Sequence, residues 1–212
     1  MNTTHISDYQ LRGVSLCAIV KDELQNPAGG VVDFVTLVLP FVDAAVIVDT
    51  GSTDGTEEAL RQVASRCSKL SLYTRPFDNF AHSRNFALSK VATEYALILD
   101  ADERLYPEDF KELKRTMKAF PSTRYSFDFE IIDQPGEHVS YNTSSMRLFK
   151  VTPYTRYEGK ALENFNCSHW EWMTLEVNTR VKIKHYNPAA EVRKQKDNFY
   201  KRLRRERKTI FR

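Results

Sequence analysis

The sequence is short of most features that would settle its class at once. It has only 3 cysteines, Cys17, Cys67 and Cys167, odd in number, widely spaced and without a C-x-x-C pair. That spacing argues against a disulfide framework or a structural zinc site and fits a reducing compartment. No apolar run approaches the roughly 18 residues that a membrane-spanning helix needs. The opening residues, MNTTHISDYQLRG, lack a basic-then-apolar pattern, so no secretory signal is expected and a cytoplasmic location is. Net charge is nearly absent: 31 basic against 28 acidic residues give +3, too little to point to nucleic acid. Among the 7 glycines there is neither a G-x-G-x-x-G nor a G-x-x-x-x-G-K-[ST] phosphate fingerprint. Repeats and low-complexity tracts are also missing.

What is present is an ordinary globular composition, 42% hydrophobic and 28% charged over 212 residues, enough for one full-sized domain. Its first half alternates two periods. VSLCAIV (14–20), AAVIVD (44–49), LSLYTR (70–75) and EYALILD (94–100) read as short buried strands. Between them lie helical patterns. In VVDFVTLVL, Val31, Phe34, Val35 and Val38 are helically spaced before Pro40 breaks the run. GSTDGTEEALRQVASRC reads as a turn and a helix, with Asp54 and Glu57 spaced as a capping box. AHSRNFALSKV places Arg84 and Asn85 early in a third helix. Strands alternating with helices predict an α/β fold with a mostly parallel, Rossmann-like sheet. The second half differs: RYSFDFEII, SSMRLFKV and EVNTRVKIKHY carry the aromatic and β-branched signature of antiparallel strands. The loops between them contain DQPGEH and EGKALENFNCSHWEW. A basic helix is expected from about Pro188. We therefore expect one domain over 1–212, divided into a nucleotide half (about 14–110), an acceptor half (about 111–187) and a C-terminal helix (about 188–212).

Ligands of open α/β sheets sit beyond the carboxyl ends of the strands. Three such ends here are strongly polar: KDE (21–23), DTGSTDGT (49–56) and DADE (100–103). The last is the sharpest. Asp100 and Asp102, separated by one small residue at a strand end, both reach one crevice, and their repulsion calls for a cation. Mg²⁺ or Mn²⁺ suits this, being held by one or two carboxylates, with phosphates and water completing the shell. Glu103 is not needed for that task and would orient its neighbours or meet solvent. The bland alternative is a solvated acidic turn ahead of a helix that Pro107 starts, with Glu108 and Asp109 at its positive end. Asp49 is placed to meet a base or ribose. Arg84 suits either a diphosphate or a surface ion pair.

VSLCAIVKDE, VIVDTGSTDGT, SRNFAL and ALILDADE, in that order, resemble the inverting family 2 glycosyltransferases of GT-A fold, in particular the branch related to lipopolysaccharide-core glucosyltransferases. The likeness is strong over about 14–110 and continues weakly through RLFKV, YEGKALEN and IKHY. It implies a GT-A sheet with a smaller antiparallel acceptor-side portion, a nucleotide-diphosphate sugar as donor and a divalent metal. By position, Asp102 would contact the metal and Asp100 the ribose or sugar. Glu23 and Asp49 would line the nucleoside pocket, Arg84 would lie near the diphosphate, and His185 would add a metal or phosphate contact. Two positions depart from the family. Asp49-Thr50 stands where many relatives have adjacent carboxylates, and Leu162-Glu163 stands where this branch often has His-Glu.

For inverting transfer a carboxylate must take the acceptor's proton; Glu163 is the first candidate and Glu158 the second. The expected function is transfer of a sugar to an acceptor hydroxyl in cell-surface glycan synthesis. The acceptor would be a glycan, a lipid-linked glycan or a protein. A non-catalytic nucleotide-sugar-binding protein and a nucleotidyltransferase are the alternatives. The basic tail, with Val192, Phe199, Leu203 and Ile210 near one face, could dock on its own domain, pair two subunits or lie on an anionic membrane.

Overall fold

Alternation of apolar side chains gives each early strand two faces, and both are covered. The computed structural model describes residues 8–134, 137–159, 164–166 and 175–188, with Lys194, Asn198 and Lys201 beyond them. Strand β1 (Val14–Val20) sends Val14, Leu16, Ala18 and Val20 into one apolar cluster and Cys17 into another. Strands β2 (Ala44–Asp49) and β4 (Tyr95–Ile98) divide in the same way, as side chains with a period of two must. The first cluster is closed by helices α1 (Val31–Val38), α2 (Thr56–Arg66) and α4 (Pro107–Ala119), through residues such as Phe34, Leu60 and Phe110. The second is closed by helix α3 (Phe80–Leu88) and a small antiparallel pair, β8 (Arg156–Glu158) and β9 (Asn164–Asn166). Each buried Val, Leu, Ile or Phe contributes about 1.5–3 kcal/mol relative to exposure, so these clusters dominate the stabilisation of the layers.

The remaining strands are β3 (Leu70–Thr74), β5 (Glu103–Arg104), β6 (Arg124–Gln134), β7 (Glu137–Lys150) and β10 (Val177–Tyr186). The 8-stranded sheet runs β3-β2-β1-β4-β7-β6-β10-β5. All strands but β7 and β5 point one way, because β7 is antiparallel to both β4 and β6, and β5 is antiparallel to β10. This is the expected α/β arrangement, a mostly parallel sheet with helices on both faces and a smaller antiparallel part. Its consequence for chemistry is positional. The carboxyl ends of β1, β2, β4 and β10 share one edge, and β7 enters the sheet at that same edge.

Four local expectations change. Strand β10 pairs with β6 in parallel, not antiparallel, from Tyr125–Val177 to Ile132–Tyr186, so its end carries His185 to the common edge. Helix α2 has Gly55 at its N-cap and no side-chain cap. Asp54 instead accepts from the Leu24 and Thr56 amides, both at 2.9 Å, which ties two loops together and leaves no capping box. Helix α3 begins at Phe80 with the Asn79 side chain capping His82, so Arg84 and Asn85 lie in its second turn. The DQPGEH segment is mostly strand, since β6 runs to Gln134 and β7 starts at Glu137. Of the C-terminal helix only Lys194, Asn198 and Lys201 are described, all helical.

Candidate active site

The acidic turn is built by its own carboxylates. After β4 the chain turns at Asp100, whose carbonyl accepts from the Glu103 amide at 2.9 Å. Glu103 returns the bond, its Oε2 accepting from the Asp100 amide at 2.9 Å. Pairing of His185 with Glu103 and Lys184 with Arg104 fixes the turn to β10, and Tyr186 donates to the Asp102 carbonyl at 2.9 Å. From the other side Arg104, 1% exposed, donates to the carbonyls of Ala101 and Glu103 at 2.8 Å and of Gly30 at 3.0 Å. A buried arginine with this many acceptors serves as a bolt between the turn and the start of α1.

Among the described residues, two arginines and a histidine answer the carboxylates. Arg84 Nη2 donates to Asp100 Oδ1 at 2.9 Å. Arg147, on β7 one residue before the Leu148–Leu97 pair, lies 3.5 Å from Asp100 Oδ2 and donates to Glu103 Oε1 at 2.6 Å. His185 Nδ1 lies 3.7 Å from Asp102 Oδ1 and 3.8 Å from Glu103 Oε1. Burial opposes ionisation of Asp100, yet the two arginines hold its carboxyl well below the usual carboxylate range. For His185 burial pulls the pKa down, and the Glu103, Asp102 and Asp100 carboxylates outweigh it and raise the value. The positive charge demanded by the acidic motif is thus supplied in large part by the protein itself.

The loops that follow β1 and β2 are laid against this network. Asn26 joins them, donating to Glu23 Oε2 at 2.9 Å and to the Ala101 carbonyl at 2.8 Å. Asp49 is fully buried; its Oδ1 accepts from the Gly51 and Ser52 amides at 2.9 and 2.8 Å, and its Oδ2 has no hydrogen-bond partner among the described residues. Thr50 spends its hydroxyl on the Val20 carbonyl at 3.0 Å. On the opposite face Asn85 grips one residue of β8 twice, accepting from the Tyr157 amide at 2.7 Å and donating to its carbonyl at 2.8 Å. The Tyr157 ring lies 5.7 Å from the Arg84 guanidinium.

Of the anticipated residues, Arg84, Asp100, Asp102 and His185 come together, and Glu23 joins them through Asn26. Asp49 lies at the same edge as a loop-forming group. Glu158 is exposed, with its Oε1 engaged by Arg156 at 2.7 Å and Asn166 at 3.3 Å; these bonds lower its pKa, which makes it a weaker base. Glu163 and Leu162 lie outside the described residues. Arg147 and Arg104 were not anticipated. A cation inside the apolar alternation of SMRLF, and another directly after three carboxylates, were the available signals.

A divalent cation fits this donor set in one way. Asp100 and Glu103 are engaged by arginines, whereas Asp102 Oδ1 and His185 Nδ1 are close enough to share one ion. Among the described residues no group of three or more His, Cys, Asp or Glu is arranged to hold a metal ion alone. Two protein donors, with phosphate oxygens and water filling the shell, match the habits of Mg²⁺ and Mn²⁺.

Among known proteins, a TPR repeat-containing protein of Synechococcus elongatus is 29% identical over 179 residues, covering 82% of this chain. The chain spans 42% of that protein's length. Solved structures give looser likenesses, each covering 60% of this chain. TarS residues 1–349 of S. aureus in complex with UDP-GlcNAc aligns with a TM-score of 0.48 at 16% identity over 37% of its length. The mannosyltransferase PcManGT of Pyrobaculum calidifontis, in complex with GDP-Man and Mn²⁺, aligns with a TM-score of 0.45 at 22% identity over 38% of its length. No helix among the described residues is long and apolar enough to cross a membrane. The family model described as "Glycosyl transferase family 2" matches residues 41–175, well over half of the chain and including the acidic turn, and the chain belongs to that family.

Proposed function

We propose that this domain transfers a sugar from a nucleotide-diphosphate donor to an acceptor hydroxyl with inversion, in a metal-dependent reaction of cell-surface glycan synthesis like that of the lipopolysaccharide-core-related branch its motifs resemble. The observation that carries the reading is the convergence of Arg84, Asp100, Asp102, Arg147 and His185 at the carboxyl edge of the sheet. Asp102 and His185 are the residues that would hold the metal. When bound, a divalent cation supplies Lewis-acid stabilisation of charge developing on the leaving diphosphate. Arg84 adds a fixed guanidinium to the same task, and one that stays protonated throughout turnover. Asp100, ionised and oriented by two arginines, accepts hydrogen bonds from ribose or sugar hydroxyls. Glu23 and Asp49 line the nucleoside side. The acceptor's proton goes to Glu163, or to Glu158 if the first is dispensable. The domain would work in the cytoplasm, peripheral to the membrane if its acceptor is lipid-linked, with the basic C-terminal segment as its contact to the membrane or to a second copy.

A thermal-shift screen of nucleotide sugars with and without Mn²⁺, followed by turnover assays on the donors that bind, tests this. The expected result is a rise in melting temperature for one nucleotide class only when Mn²⁺ is present. A screen in which no sugar nucleotide shifts the transition refutes donor binding. Binding without transfer or donor hydrolysis refutes the enzyme and leaves a binding protein.

A further inference from the structure

Asn26 is the point at which the loop after β1 meets the acidic turn. Its side-chain nitrogen donates to Glu23 Oε2 at 2.9 Å and to the Ala101 carbonyl at 2.8 Å. Its side-chain oxygen accepts from the Ala28 and Gly30 amides, both at 2.9 Å. The neighbours decide which way the amide faces. Two of them are backbone N–H groups, which only donate, and two are a carbonyl and a carboxylate, which only accept. Turning the group over would set donor against donor and acceptor against acceptor. An amide on a short stem is the side chain that meets this set, since Asp has no hydrogen to give and Gln carries its amide a methylene too far.

The two donations serve different ends. The Ala101 carbonyl also accepts from Arg104 Nη1 at 2.8 Å, so it stays satisfied without Asn26. Glu23 has its backbone fixed: its amide donates to the Thr56 hydroxyl and its carbonyl accepts from the Val31 amide, both at 2.8 Å. Its side chain is long and rich in rotamers, and the bond from Asn26 selects among them. We propose that Asn26 is a positioning residue that aims the Glu23 carboxylate, holding the nucleoside contact in register with the turn that carries Asp100 and Asp102. The proposal rests on the reading of Glu23 as a residue of the nucleoside pocket.

Asn26→Asp separates the two halves of the amide's work. It keeps an oxygen for the Ala28 and Gly30 amides, loses both donations and sets a second carboxylate against Glu23. The experiment is a calorimetric titration of the full chain with UDP, GDP, CDP, ADP and dTDP, each with Mn²⁺. Circular dichroism confirms the fold of each variant. Asn26→Asp should bind the nucleotide that wild type takes about tenfold more weakly, the lower end of what a hydrogen bond to a charged group is worth. The discriminating comparison uses Glu23→Gln/Asn26→Asp, which rebuilds the bond with its polarity exchanged, the introduced amide donating to the introduced carboxylate. This double variant should bind as Glu23→Gln alone does, because a residue acting through Glu23 has nothing further to lose. A residue that only supports the fold would cost the same affinity in both backgrounds. The double variant also lacks the carboxylate pair, so it folds even if repulsion unfolds Asn26→Asp. Unchanged binding in folded Asn26→Asp overturns the proposal, as does a further loss of about tenfold in the double variant relative to Glu23→Gln. Failure of the underlying reading has its own signatures. Wild type binding none of the nucleotides refutes the donor site, Glu23→Ala binding as wild type does removes Glu23 from it, and either result overturns the proposal as well.

Discussion

Gly30 opens α1 with φ +90, and a Cβ there would stand 2.4 Å from the Leu24 carbonyl oxygen, closer than any real Cβ comes to backbone. Gly30→Ala therefore forces a shift as well as an unfavourable dihedral. With ψ at 175 this is a region essentially confined to glycine, and the dihedral alone costs an L-residue about 1–3 kcal/mol. The shift strikes three hydrogen bonds: Gly30 N–H to Asn26 Oδ1 at 2.9 Å, Val31 N–H to the Glu23 carbonyl at 2.8 Å, and Arg104 Nη2 to the Gly30 carbonyl at 3.0 Å. At a net ~0.5–1.5 kcal/mol each, the total loss is about 2.5–7.5 kcal/mol. For a domain of this size that lowers the melting temperature by about 5–30 °C. Gly51 supplies the control: its φ is +102, yet nothing among the described residues lies within 4 Å of its Cβ position, so Gly51→Ala carries only the dihedral cost. Urea denaturation of both variants, followed by circular dichroism, separates collision from conformation. Equal losses for the two would refute the argument that the start of α1 is wedged against the Leu24 loop.

Asp102→Ala should abolish Mn²⁺-dependent donor binding in calorimetric titration, and an unchanged dissociation constant would remove Asp102 from the metal site. Glu163→Gln should leave donor affinity intact while transfer falls by about 10²–10⁴-fold, the range of a positioned base; near-normal turnover would transfer the role to another residue. The His185 imidazole, raised above its ordinary 6.5 by neighbouring carboxylates despite burial, stabilises the metal-free fold when protonated. That contribution is complete below the unfolded value and is lost as pH rises through the folded one. In metal-free buffer the difference in unfolding free energy between wild type and His185→Gln should accordingly shrink from pH 6 toward pH 8.5, and a difference that is flat across that range would contradict the assignment.

The N-terminal half was legible because its signals are local. VSLCAIV and AAVIVD announce buried strands by continuous apolarity, α1 stops at Val38 just ahead of Pro40, which sits in a 3-10 turn, and Pro107 opens α4. The end of β4 at the acidic motif followed from the abrupt change at Asp100. What escaped was set by pairing between distant segments. The parallel alignment of β10 with β6 depends on partners more than 50 residues apart, and aromatic and β-branched residues suit either direction. Arg147 joins Asp100 and Glu103 only because β7 enters the sheet beside the end of β4. Asp54 and Glu57 matched the spacing of a capping box, but Asp54 had a better use, since the loop from Leu24 presents an amide that spacing along one segment cannot reveal. Sequence spacing showed the repulsion and led to the expectation of a metal; the topology brings in two arginines that no local pattern could place there.

Asn85 recognises Tyr157 solely through the peptide groups on either side of its Cα. The same residue is also held by its side chain, since the Tyr157 ring meets Phe149 and Phe165 in the second cluster. The seat of the β8–β9 pair on α3 thus has two parts, a backbone grip and an aromatic one. Because Asn85 and Arg84 are consecutive, whatever dislodges Tyr157 is passed on to the guanidinium that meets Asp100.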